Sequence, residues 1–131
     1  MNSEADESLN AIDYFLAHGA KAIKTDTGNW ELQFYHTDIE DNDLEKLQYI
    51  SNLETIVFYL TNITDAGIEK LKKINGLRKL GLYSCRKITN GSINTLSELE
   101  LSDISLIDTN FSKEDKEELQ KLSPNLKIHT K

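Results

Sequence analysis

Apolar side chains recur along most of the chain with a period of 24 residues. Within each period the fourth and sixth positions are apolar, and one residue separates them. This alternation predicts a β-strand, because neighbouring side chains of a strand point to opposite faces. Counted from Asn29, Leu53, Leu77 and Leu101, the apolar positions are Leu32 and Phe34, Ile56 and Phe58, Leu80 and Leu82, and Ile104 and Leu106.

The second part of each period changes to helical spacing, in which apolar residues form one stripe. These stripes are Leu44, Leu47 and Ile50, and then Ile68, Leu71 and Ile74. Thr64 and Thr89 stand where N-caps are expected, and "SKED" at 112–115 has the form of a capping box. Gly76 stands where a helix must end, in the left-handed conformation that glycine tolerates. Each period therefore predicts a strand followed by a helix.

A different pattern precedes the first period, in "SLNAIDYFLAHGAKAIKTDTGNWELQF". The sequence predicts a helix that ends at Gly19, and a hairpin pairing 21–25 with 30–34 around a turn at 26–29. The buried side of this helix is predicted to carry Leu9, Ile12, Phe15 and Leu16. Such an element would close the end of a repeat array, which would otherwise expose its core.

The repeats resemble leucine-rich repeats of the cysteine-containing type, found in F-box-linked proteins and many bacterial proteins. The matching stretches are "LETIVFYLTNITDAGIEKL" at 53–71 and "LRKLGLYSCRKITNGSINTL" at 77–96. Cys85 stands at the family's cysteine position, which threonine takes in the other repeats (Thr37, Thr61 and Thr109). The segment in front resembles the N-terminal cap of bacterial leucine-rich-repeat proteins. A more distant likeness is to the mitochondrial ATP synthase subunit s and its assembly-factor relatives.

This resemblance implies an α/β fold, a short right-handed solenoid with a parallel concave sheet and helices on the convex side. Residues 1–28 would form the N-terminal cap, a helix and a hairpin strand. Residues 29–131 would form four repeats, starting at 29, 53, 77 and 101, with a terminal strand at 126–128. The third repeat holds one extra residue before Ile88, so its helix is expected to be short or irregular.

The third, fifth and seventh positions of each repeat face away from the predicted core, onto the concave face. The seventh position is tyrosine in three repeats, and we expect the rings to stack in a column with a notch at Gly81. The column either packs its own strands together or binds a partner. The candidate partner-binding residues are Tyr35, Tyr59, Tyr83, Val57, Leu60, Lys79, Glu31, His36, Asp103 and Asp108.

The charge of the chain, −7 with a pI near 4.9, argues against nucleic acid as the main partner, because phosphate binding needs a basic surface. Residues 1–50 hold eleven acidic against three basic residues, whereas 51–97 hold three acidic against seven basic. No apolar run approaches the ~18 residues of a membrane span. The start, "MNSEADESLN", lacks the features of a secretory signal, so a cytoplasmic location is expected. Lysine outnumbers arginine, which favours a bacterial source.

The chemistry of catalysis and metal binding is not recognisable in this sequence. The histidines, His18, His36 and His129, have no ligand spacing to one another or to Cys85. Cys85 is predicted to be buried and structural, and a single cysteine excludes an internal disulfide. The acidic run at 38–45 lacks the glycine and the last glutamate of a calcium loop. We therefore expect no metal, no cofactor and no enzymatic activity.

The function expected from these features is protein–protein interaction through the concave face, by a monomer or a weakly self-associating chain. The chain could be an intracellular inhibitor or adaptor that captures a basic protein. Two alternatives are a scaffold or assembly factor for a larger complex, and an exported bacterial surface or effector module. The sequence does not identify the partner.

Overall fold

The computed structural model describes residues 3–130 and has an α/β architecture. Its sheet has six strands, in the order in which they occur along the chain. The first two strands pair antiparallel as a hairpin, and every later pair is parallel. The strands are β1 (Lys21–Lys24), β2 (Trp30–Tyr35), β3 (Leu53–Tyr59), β4 (Lys79–Tyr83), β5 (Asp103–Ile107) and β6 (Lys127–His129). The predicted α/β class and the hairpin are confirmed; Met1, Asn2 and Lys131, which the predicted ranges include, lie outside the described residues.

Helical segments cross over between the parallel strands, because strands that run in the same direction need such a connection. The α-helices are α1 (Ser3–Ala17), α2 (Asp65–Lys70), α3 (Ile93–Glu98) and α4 (Lys113–Leu122). More tightly wound 3-10 segments, with three residues per turn, lie at Asp41–Tyr49, Leu71–Lys73 and Asn90–Ser92. The first crossover, predicted as a helix, is thus entirely 3-10. The third begins with a 3-10 turn, as the extra residue before Ile88 predicts.

Residues that lie 24 positions apart in the sequence are paired with each other in neighbouring parallel strands. Tyr35 pairs with Tyr59, Tyr59 with Tyr83, and Tyr83 with Ile107. The extra residue of the third period does not disturb this register, because the irregular crossover accommodates it. Equivalent residues of successive strands therefore lie side by side in rows that run across the sheet.

The core lies between the sheet and the helical segments. It contains the fourth- and sixth-position residues of each repeat and both predicted helical stripes, all buried. An aromatic row runs through it, in which Phe15 meets Phe34 edge to face at 5.4 Å and Phe34 stacks on Phe58 at 5.2 Å. The stacking follows from the register, since Phe34 and Phe58 are paired residues of β2 and β3.

The side of α1 that packs against the core is not the one that the sequence predicts. Ile12 and Phe15 are buried, but Leu9 and Leu16 are 56% and 45% exposed. Ser8 and Ala11 take the buried places instead. Burial of Ser8 is possible because its hydroxyl accepts a hydrogen bond of 2.9 Å from the backbone N–H of Ser51. The predicted end of the helix is confirmed, since Gly19 is left-handed with φ of +92°.

The predicted helix starts are confirmed at three places. Thr64 accepts a hydrogen bond from the N–H of Ala66, and Thr89 accepts one from that of Gly91. Ser112 and Asp115 form the predicted capping box of α4. Gly76 is left-handed, with φ of +87°.

Two buried hydroxyls limit the stability of this core. Within the described residues, Thr37 Oγ1 and Thr109 Oγ1 are buried without a hydrogen-bond partner. We expect Thr109→Val to raise the free energy of unfolding by about 1 kcal/mol, because valine keeps the shape and removes the unpaired hydroxyl. The equivalent Thr61 lies 3.6 Å from Cys85 Sγ, so Thr61→Val is the matched control. Urea denaturation checks the difference, and an equal gain at both positions would contradict this explanation.

Candidate functional site

The face of the sheet opposite the helical segments, here called the open face, carries the candidate residues in three rows. The third-position row is Glu31, Thr55, Lys79 and Asp103; the fifth is Gln33, Val57, Gly81 and Ser105; the seventh is Tyr35, Tyr59, Tyr83 and Ile107. Outer strands extend the rows, since Ile23 pairs with Glu31, Lys127 with Asp103 and His129 with Ser105. The sequence prediction missed these three residues because they lie outside the repeats, although the hairpin register could have identified Ile23.

The tyrosine row is exposed at Tyr35 and Tyr59 and half-buried at Tyr83, and its rings do not stack as predicted. Tyr35 and Tyr59 are 46% and 41% exposed, and their rings meet edge to face, with centroids 5.9 Å apart and planes at 79°. Aromatic rings favour this edge-to-face arrangement over a parallel sandwich, because the positive edge of one ring then lies against the negative face of the other. The ring of Tyr83 leans over Gly81 instead, where a Cβ atom would lie 2.7 Å from Tyr83 Cε2. The notch predicted at Gly81 is therefore filled by this ring.

The eighth residue of each repeat forms a rim along the open face, in a conformation that the sequence did not predict. These residues are left-handed: His36 (φ 51°), Leu60 (φ 53°), Ser84 (φ 55°) and Asp108 (φ 54°). The turn lets the backbone N–H of Leu60 donate to the carbonyl of Tyr83 at 3.0 Å, and the same bond recurs at His36 and Ser84. A left-handed backbone costs a residue with a Cβ atom about 1–2 kcal/mol. Leu60 carries this strain while its side chain is 45% exposed.

The acidic residues of the face are held by hydrogen bonds. Asp108 accepts bonds from Arg86 at 2.6 Å and from Ser84 at 2.7 Å, and the Arg86 guanidinium lowers the pKa of that carboxyl. Asp103 pairs with His129 at 2.9 Å, and this bond, with a second from Ser102, lowers the pKa of Asp103. This partner of His129 is one that the sequence did not reveal, since β6 brings His129 beside β5.

His18 likewise has a partner that the sequence did not reveal. Its Nδ1 atom lies 3.2 Å from a carboxylate oxygen of Asp38, in the turn after β2. Tyr14, one helical turn before His18, donates a 2.5 Å hydrogen bond to Asp43, which raises the pKa of the Tyr14 hydroxyl. These contacts fasten α1 to the first crossover, away from the open face.

A shallow hollow of about 290 Å³ lies on the open face beside Tyr83. Its charged lining comes from Glu31, Lys79, Asp103 and His129, and Val57 and Gly81 form part of its floor. Both signs of charge are present, so the hollow suits a polar side chain of either sign rather than a polyanion. Within residues 3–130, no group of three His, Cys, Asp or Glu side chains could hold a metal ion.

Cys85 lies below the rim, in the core. Its thiol is fully buried and approaches the carbonyls of Phe58 at 3.4 Å and Tyr83 at 3.5 Å. The predicted burial of Cys85 is therefore confirmed. Across the described part of the chain, no helix is long and apolar enough to span a bilayer.

Comparison with known proteins gives no match, either among protein-family models or among curated proteins.

Proposed function

We propose that the chain is a short right-handed leucine-rich-repeat solenoid of the cysteine-containing type, closed at its N-terminus by α1 and the β1–β2 hairpin. Three observations support this proposal: the 24-residue register, the helical crossover in each repeat and the burial of Cys85 at the family's cysteine position. In this architecture the open face is the concave face.

We propose further that the open face binds a partner protein without catalysis. The main support for this proposal is a cluster of exposed apolar side chains at one end of the face, formed by Tyr35, Tyr59 and Leu60. Exposed apolar groups that cluster on one surface mark interaction sites, and tyrosine contributes large contact area at such sites. Leu60 adds exposed apolar area to this cluster, in a left-handed turn that every repeat shares.

Polar residues around this cluster would orient the partner. Glu31, Lys79 and Asp103 lie at the opposite end of the open face, on β2, β4 and β5, while His36 and Asp108 lie on the rim. Such groups contribute more to specificity and to the rate of association than to affinity. Packing between strands accounts for part of the Tyr35–Tyr59 contact, about 0.5–1.5 kcal/mol for an aromatic pair, but it gives no reason for exposing Leu60.

The triple variant Tyr35→Ser, Tyr59→Ser, Leu60→Ser is expected to lose partner binding by at least about tenfold, because it removes the apolar anchors. Its fold should persist, since all three side chains lie outside the core. Tyr49→Ser is the matched control, as Tyr49 is 48% exposed at the end of the first crossover. Quantitative pull-downs from the source cells with wild type, triple variant and control measure the effect. Equal recovery with all three proteins would contradict the proposal.

A further inference from the structure

The seventh-position row holds one large side chain per strand, Tyr35, Tyr59, Tyr83 and Ile107, with the Tyr83 ring turned toward Gly81. Neighbouring strands are ~4.8 Å apart, so these side chains start at intervals of roughly 4.8 Å and together span about 14 Å. A ligand that contacts the whole row must present apolar groups at the same interval, in a line that crosses the strands.

An α-helix meets this requirement. Residues i, i+3, i+7 and i+10 lie on one side of a helix, at roughly 0, 4.5, 10.5 and 15 Å along its axis. The row requires about 0, 4.8, 9.6 and 14.4 Å. In an extended chain, by contrast, the side chains on one face are ~6.6 Å apart, so that after the first contact they no longer align with the side chains of the row.

The charges of the third-position row would set the direction and the register of a helix bound across the strands. Across the strands it is negative at Glu31, uncharged at Thr55, positive at Lys79 and negative again at Asp103. This row lies four positions before the seventh-position row, about 13 Å away along the strand. Long side chains on the flank of a helix ~10–12 Å wide can reach that far. Among residues 3–130, no carboxylate forms an ion pair with Lys79, so its charge is free to pair with a ligand.

We propose that the open face receives an amphipathic α-helix of the partner protein, laid across β2 to β5. The apolar stripe of the helix contacts the tyrosine row and Leu60. One flank carries a basic residue opposite Glu31 and an acidic residue about seven positions later, opposite Lys79. This inference rests on the proposed function of the open face.

The test is a phage-display selection of random 16-residue peptides on the whole chain, with binders measured as synthetic peptides. Selected peptides should carry apolar residues at i, i+3 and i+7, gain helical circular dichroism on binding and lose at least about tenfold affinity for the Tyr59→Ser variant. Lys79→Glu should weaken binding, and an acidic-to-basic exchange in the peptide should restore it. Thermal denaturation of both variants verifies that they are folded.

The outcomes separate the two proposals. Peptides that depend on Tyr59 but bind without helical structure, or without rescue of Lys79→Glu, would overturn the helix and leave the open face as the binding site. Peptides that ignore the Tyr59→Ser substitution would overturn both. A selection that yields no binder would also count against both, since a surface built to receive an apolar helix should capture one from a large random library.

Discussion

Replacing Asp65 with alanine is expected to lower the free energy of unfolding by about 3 kcal/mol, because its carboxylate accepts three hydrogen bonds that bind one repeat to the next. The donors are the backbone N–H of Thr89 at 2.8 Å, the Thr89 hydroxyl at 2.5 Å and the Ser92 hydroxyl at 2.6 Å. Ser92 is buried, so alanine at position 65 leaves a donor that water does not reach. Urea denaturation at neutral pH measures this loss.

Acid should remove the same stabilisation. Burial raises the pKa of Asp65, but hydrogen bonds from Ser92 and Thr89 outweigh it and hold the pKa below its ordinary value. The stabilising effect is complete above the pKa of the unfolded chain, about 3.9, and is lost as pH falls through the lower folded pKa. The difference in unfolding free energy between wild type and Asp65→Asn should therefore shrink as pH falls below about 4.

Glu45 provides the control for this prediction. Lys70 and Lys73 lower its pKa to about 2, yet the ion pairs are exposed to solvent, which screens them. Glu45→Gln should consequently change stability much less than Asp65→Ala, and its effect should disappear in high salt. If Asp65→Ala proves as mild as Glu45→Gln, the hydrogen bonds between repeats are not a main source of stability.

Repetition explains why so much of the fold can be predicted from this sequence. The rows of Phe34 with Phe58 and of Tyr35 with Tyr59 follow from the 24-residue period alone, because equal spacing along the chain becomes equal position in the sheet. N-caps such as Thr64 depend only on neighbouring residues. The position of the candidate face can also be predicted, because the alternation of side chains along each strand places the tyrosines on the side of the sheet opposite the core.

Features that depend on packing between elements could not be predicted. Leu9 and Ile12 are equally apolar, and only the docking of α1 on the first crossover decides which is buried. The side chain of Tyr83 leans over its own strand because Gly81 leaves space, which the spacing of the tyrosines does not reveal. The hydrogen bonds that Thr89 donates to Asp65 join residues 24 positions apart and become visible only in three dimensions.

Gly67→Ala is expected to destabilise the protein by about 2 kcal/mol, although alanine is the better helix former by about 1 kcal/mol. Gly67 lies in α2, and a Cβ atom there would be 2.5 Å from Asp41 Oδ1 and 3.1 Å from Leu44 Cδ1. Asp41 cannot easily move aside, because it accepts bonds from the N–H and hydroxyl of Thr64, at 2.8 and 2.6 Å. The clash therefore outweighs the gain in helix propensity.

A double-mutant cycle identifies Asp41 as the cause. Asp41→Ala alone should destabilise, since it leaves both Thr64 donors without their acceptor. In that background the space beside α2 is free of the carboxylate, so Gly67→Ala should become neutral or stabilising. A cost of Gly67→Ala that stays the same in both backgrounds would instead assign it to Leu44 or to the backbone of α2. The expected coupling would show that Gly67 is required because the Asp41–Thr64 bond between repeats occupies the space of its missing side chain.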